Sequence, residues 1–291
     1  MCSEHPTIFL ETNSDNQSDS EGVENHRFEI KDIPYYDQII ERIRNDDKLR
    51  PFNPRYMEMQ TELKKNDRKN LVEWIINIGF ESKLTDYAIC MAVRMFDILI
   101  STKKVDRNDL QLIGATLLLM ETKISEPNRL SITSEIYKFT NFLPDTLVSN
   151  ETKLFQELDF NVIVPTPIEY IQYHFGEFWS LDEDNDSHIE TLRFIMYCSI
   201  SCEECLKYSC ENISLACLLI TFAFFKKEKR KVTDMDINGI CIVDVFNSVK
   251  NIINDTTTVL FSYFSSKIET LEDFFKIEAE KFLSQFIVFN E

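Results

Sequence analysis

Strict apolar–polar alternation is almost absent from the chain after Tyr35, while apolar residues keep recurring at the spacing of one helical face. The stretch YYDQIIERIRNDDK (35–48) predicts a short amphipathic helix. A longer helix begins near Arg68, turns Leu71, Val72, Ile75 and Ile78 inward, and ends near Gly79 and Lys83. Thr85 suits the N-cap of the next, DYAICMAVRMFDILIS, because its side-chain oxygen can accept from an unpaired first-turn N–H. Asp106 serves RNDLQLIGATLLLMETK in the same way, and Ser131 opens a helix near ITSEIYKFT. Pro144 fits the first turn of PDTLVSNETKLFQEL, where its missing N–H costs nothing.

The helix between Leu110 and Met120 is apolar nearly all round, with Gly114 and Ala115 leaving room for close neighbours. Such a helix is enclosed by others. The pattern then breaks at DFNVIVPTPIEY, since Pro165 and Pro167 forbid a continuous helix. Thr166, Pro167 and Glu169 read as a capping box with proline at the first helical position. Beyond it, SHIETLRFIMYCSISCEECLKY is followed by a second all-round apolar run, ISLACLLITFAFFKKE. Each half therefore holds one enclosed helix, and the expected architecture is all-α. Residues 1–33 differ: SDNQSDSEGVENH is acidic and poor in apolar residues, which predicts a disordered tail. Ser18 and Ser20 sit there in an acidic context.

Composition narrows the chemistry. The 291 residues carry a net charge of −18, which argues against a basic stripe for nucleic acid. The start has no basic, continuously apolar leader, and the run Ile213–Phe225 is short for a membrane span. Eight cysteines in a chain of this size read as reduced thiols of an intracellular protein. Cys202 and Cys205 form a C-x-x-C without a second pair at zinc-site spacing. With Cys198 they share one face if the helix continues, and the reading favoured is small buried hydrophobes. The glycines, Gly22, Gly79, Gly114, Gly176 and Gly239, are too far apart for any phosphate-binding loop. The histidines are dispersed, so no catalytic group, metal or cofactor is expected.

Several segments come in a recognisable order: YMEMQTELKKNDRKNLVEWIINIG, RMFDILIS, DLQLIG, METKISEP and ELDFNVIVPTPIEY. Together they resemble the cyclin box of A/B-type, mitotic-like cyclins, over roughly Tyr35–Phe175. The positions that mark that box are all filled, by Arg68, Asp97, Leu112, Lys123 and Glu151. The resemblance implies tandem cyclin-like helical folds preceded by a short N-terminal helix. The divisions expected are a tail over 1–33, a cyclin box over 34–164 and a second cyclin-like fold over 165–291.

The resemblance also implies roles. Arg68 pairs with Asp97 and locks two helices, since an unpaired buried charge is expensive. Lys123 and Glu151 face a cyclin-dependent protein kinase, with Met120, Ile124, Phe155 and Phe160 beside them. Ile124 and Ser125 depart from the Phe and Glu common in the family. A substrate-docking groove keeps Leu71, Trp74 and Gln111 but carries Asp67, Asn70 and Asn77 at its remaining positions. It is therefore expected to be degenerate, with Asp67 an exposed charge able to attract a basic ligand. The implied function is a regulatory subunit, not an enzyme, that activates its kinase in S phase or at G2/M. Kinase substrates and inhibitors are further implied partners; nucleic acid and membrane are not. Nucleus and cytoplasm are the expected locations. Two rival readings are a transcription-associated cyclin-fold protein, which wants a basic face and a zinc ribbon, and a helical scaffold without kinase activation. No Arg-x-x-Leu or Lys-Glu-Asn degradation signal occurs in residues 1–33.

Overall fold

The computed structural model describes residues 35–49, 52–125, 136–178, 186–225, 239–255 and 257–275. The acidic tail, Ser18, Ser20 and the start expected at Ser131 lie outside these residues. All regular structure among the described residues is helical. The first half comprises α1 (Tyr36–Leu49), α2 (Tyr56–Met59), α3 (Asp67–Glu81), α4 (Asp86–Thr102), α5 (Leu110–Ser125), α6 (136–140) and α7 (Pro144–Glu157). The second comprises α8 (Pro167–Phe178), α9 (Asp186–Ser201), α10 (Cys210–Phe224), α11 (Gly239–Ile253), α12 (Val259–Tyr263) and α13 (Ser265–Asp273).

Local chemistry sets many of the ends. Thr85 Oγ1 accepts from Ala88 N at 3.3 Å and opens α4. Pro144 stands in the first turn of α7. Thr166 N donates to Glu169 Oε2 at 2.9 Å, and Ile168 N donates to Thr166 Oγ1, so the capping box opens α8. Asp106 caps a 3₁₀ turn, Arg107–Asp109, which leads into α5.

The enclosed helices are α5 and α10. Against α5 pack α3, α4 and α7; against α10 pack α8, α9 and α11. Close approach is built in. A Cβ on Gly114 would stand 3.1 Å from both Leu71 and Trp74 of α3, and one on Gly79 only 2.5 Å from Ile89 of α4. One apolar core runs through both halves, from Phe52 to Phe275.

Polar bonds tie the halves together. Asp86, at the start of α4, accepts from Arg193 at 2.7 and 2.8 Å and from the Tyr197 hydroxyl at 2.6 Å, both on α9. The short helix α1 opens the first half in sequence yet packs on the second. Its Ile40 clusters with Tyr170 and Cys210. Arg44 chelates Glu211 at 2.6–3.0 Å, while Asp47 accepts from Cys210 N at 2.9 Å and from Arg94 of α4 at 3.1 Å.

The cysteine expectation needs one correction. The helix α9 ends at Ser201, so Cys202 and Cys205 do not continue its face. Cys198, Cys205 and Cys210 are buried and Cys202 is half-buried. All described cysteines are free, and no metal-binding cluster occurs among the described residues. No helix there is long and apolar enough to cross a membrane.

Candidate functional site

Arg68 sits in the first turn of α3 and is 3% exposed, as is Asp97 on α4. The guanidinium meets the Asp97 carboxylate as a fork, Nε to Oδ1 at 2.7 Å and Nη2 to Oδ2 at 2.9 Å. It also donates to the carbonyls of Ile200 at 2.8 Å and Ser201 at 3.2 Å. Those carbonyls belong to the last turn of α9, which has no intrahelical donors of its own. One side chain therefore joins α3, α4 and α9. Sequence reasoning supplied Asp97 but missed α9, because its carbonyls lie more than a hundred residues away and carry no side-chain signature.

Lys123 closes α5, where a cation is favoured by the helix dipole. Its Nζ donates to Glu151 Oε2 of α7 at 2.6 Å. Buried Leu147 and Leu154 seat α7, and Asn150 Nδ2 donates to Thr116 Oγ1 of α5 at 3.0 Å. The pair lies at a surface with an apolar rim. Phe155 is half-buried and stacks on Phe160 at 6.5 Å between centroids. Phe160 is 72% exposed, Ile163 56%, and Val148, one turn before Glu151, 49%. Ile124 is half-buried. The backbone holds Phe160 outward at a cost: Asp159 and Phe160 both have positive φ, 53° and 59°. A bulky side chain seldom adopts that conformation. Val148 and Ile163 were missed from the sequence, since nothing local distinguishes an exposed branched residue from a core one. Met120 is a correction. It is 1% exposed and belongs to the core, because α5 stays enclosed until its last turn, so Met120 underlies this surface without forming it.

The residues expected to form a docking groove are only partly together at the surface. Asn70 and Gln111 are exposed, Trp74 and Asn77 half-buried, and Leu71 is core. Trp74 packs into a satellite cluster with Ala115, Leu119, Leu147, Tyr137 and Phe142. Asn77 Oδ1 accepts from the Tyr263 hydroxyl of α12 at 3.3 Å. Asp67 is corrected from exposed to buried. It accepts from Lys64 N at 2.8 Å and from Arg107 at 2.7 and 3.2 Å, and the Arg107 bond holds its carboxyl below the usual range. Its charge is already matched within the chain.

Glu121, two residues before Lys123, escaped notice in the sequence. It is fully buried, and neither carboxylate oxygen has a hydrogen-bond partner among the described residues. Burial first, then the charge of Glu169, push its pKa well above the carboxylate range. Burial likewise raises Glu169 to about 7. Both groups bind protons more tightly folded than unfolded. Their contribution is most favourable below the ordinary value of 4.5 and is lost as pH rises through the folded values. Glu121→Gln removes the ionisable group and is expected to flatten the decline above pH 5, each pH unit of it being worth about 1.4 kcal/mol. Urea melts of both proteins across pH 5–8 check this; parallel profiles would refute it.

Residues 38–163 match the model of the cyclin N-terminal domain. G2/mitotic-specific cyclin-4 of Saccharomyces cerevisiae is 28% identical over 142 residues, covering 48% of this chain and 30% of that protein. Cyclin-B2-2 of Oryza sativa subsp. indica is 25% identical over 193 residues, 64% of this chain and 44% of that one. G2/mitotic-specific cyclin cig1 of Schizosaccharomyces pombe is 30% identical over 146 residues, 48% and 33%. The chain thus spans about a third to under a half of the length of these relatives. The crystal structure of a viral cyclin from herpesvirus saimiri superposes with a TM-score of 0.64 at 16% identity, covering 73% of this chain and 96% of that one. Residues 38–163 thus match a cyclin N-terminal domain, and the chain is similar there to G2/mitotic-specific cyclins.

Proposed function

We propose that this chain is the regulatory subunit of a cyclin-dependent protein kinase, acting in S phase or at G2/M, and not itself an enzyme. The observation that carries the reading is the Lys123–Glu151 pair at the junction of α5 and α7, with exposed Val148 one turn before Glu151 and exposed Phe160 stacked on Phe155 one turn after it. Apolar anchors beside a few directed polar groups are what a protein interface needs. The chain binds the active orientation of the kinase's regulatory helix better than the inactive one and so shifts the kinase population. That orientation sets a glutamate of the kinase against its ATP-positioning lysine; ATP and Mg²⁺ belong to the partner. The half-buried Ile124 gives less contact area than the Phe common in the family, which affects affinity and choice of kinase. The same reading divides the chain into a cyclin box over 34–164 and a second cyclin-like fold over 165–291, and places it in nucleus and cytoplasm.

The test is reconstitution. The purified chain is mixed with candidate kinases and histone H1 phosphorylation is measured. Activity above the kinase alone is expected. Binding without activity would favour a helical scaffold, and no binding to any candidate would defeat both readings.

Substrate docking through α3 is expected to be weak. With Asp67 and Asn70 at two apolar positions, each lost contact costs roughly 1.5–3 kcal/mol, more than tenfold in affinity. Titration of a labelled Arg-x-Leu peptide should give no low-micromolar binding. Such binding, abolished by Trp74→Ala, would show a working groove.

A further inference from the structure

Where α9 ends, the chain turns through a short 3₁₀ segment, Glu204–Lys207. Cys202 precedes this segment and Cys205 lies within it. Both are free thiols; Cys205 is buried and Cys202 half-buried. The turn brings them into contact. Cys205 and Cys202 share a side-chain hydrogen bond, and Cys202 Sγ donates to Glu204 Oε2 at 3.0 Å. A hydrogen-bond chain thus leads from a buried thiol through a half-buried one to a carboxylate. The kinase-binding surface makes no use of it. We propose that Cys202 and Cys205 are a site of reversible oxidative modification, closing to an intrachain disulfide when the chain meets a peroxide.

The chemistry balances on these groups. The Cys202 sulfur attacks one peroxide oxygen; the O–O bond breaks, leaving a sulfenic acid on Cys202 and releasing water. The Cys205 sulfur then attacks the Cys202 sulfur; the S–OH bond breaks, and hydroxide departs as water with the Cys205 proton. Two thiols lose two electrons and two protons to one peroxide, giving two waters. Cys202 is the residue the oxidant reaches, and Cys205 waits behind it as the resolving thiol.

The surroundings set the rate. The bond to Cys202, then burial, pushes the Cys205 thiol far up. Thiolate is the reactive form, so closure is slow at neutral pH and quickens as pH rises. The site has a structural address as well. Ile200 and Ser201, immediately before Cys202, are the residues whose carbonyls receive Arg68. Closing the bridge therefore acts on the turn that joins α9 to α3.

The experiment treats the full chain with hydrogen peroxide at pH 7 and pH 8.5, alkylates remaining thiols, and maps peptides by mass spectrometry. A Cys202–Cys205 bridge, two hydrogens lighter and reversed by dithiothreitol, is the expected product, forming several-fold faster at the higher pH. Cys202→Ser, at a half-buried position, should abolish it, and so should Cys205→Ser with the helical circular dichroism intact. Overoxidation of Cys202 to sulfinic acid with Cys205 still alkylated would overturn the proposal. So would bridging to Cys198 or Cys241, or full survival of both thiols.

Discussion

Changing Lys123 and Glu151 together to alanine is expected to abolish the proposed kinase activation while the helical fold persists. The two side chains meet at 2.6 Å across the α5–α7 junction, with Lys123 well exposed. In the free chain such a pair contributes at most about 1 kcal/mol, and neither residue belongs to the core. Stability should therefore change little. At an interface the same charges become desolvated, and truncating such a group costs roughly 2–5 kcal/mol. That is a loss of about 30-fold or more in affinity. Circular dichroism, thermal melting and the kinase assay are run on the same preparation. Full activity in the double variant would remove these residues from the interface; a collapsed melting curve would make the pair structural.

Arg68→Ala is expected to destabilise the chain by about 3–5 kcal/mol, the cost of leaving a buried charge without its partner. The substitution strands the Asp97 carboxylate and also removes the donor to the Ile200 and Ser201 carbonyls. Asp97→Asn in that background should recover part of the loss, because a neutral amide is cheaper to bury than an unpaired carboxylate. Arg68→Lys keeps the charge but not the fork, and should fall between wild type and Arg68→Ala. A double-mutant cycle in urea reads the coupling. A loss of only a few tenths of a kcal/mol, or strict additivity, would contradict the geometry.

These residues show what a sequence does and does not disclose. Thr85, Pro144 and the Thr166–Glu169 box act within a few residues of themselves, so their roles follow from local chemistry. The enclosed helices α5 and α10 were visible as unbroken apolar runs. Lys123 and Glu151 stand 28 positions apart on different helices, and only the family resemblance brought them together. The errors share one cause. The resemblance puts Met120 and Asp67 at the surface, and spacing alone puts the Cys198–Cys205 stretch on one face, but their states are fixed from a distance. Met120 is covered by neighbouring helices. Asp67 is claimed by Arg107, 40 positions on. The end of α9 lies where Arg68 takes its carbonyls. Glu121 was hidden in another way, since an acid closing an apolar run resembles a helix end turning to solvent.

The position of α1 bears on how the chain is made. Its Arg44 binds Glu211 across 167 positions, and its Asp47 binds Cys210 N across 163. A ribosome adding about 5–20 residues per second needs roughly 10–30 s to reach those partners after α1 has been synthesised. Ile40 gains Tyr170 only when α8 is made, and Cys210 only about 40 residues later still. The first of the described helices to leave the ribosome is thus among the last to settle. A nascent chain halted before α8 carries an uncovered apolar stripe near its N-terminus, the kind of surface that chaperones hold.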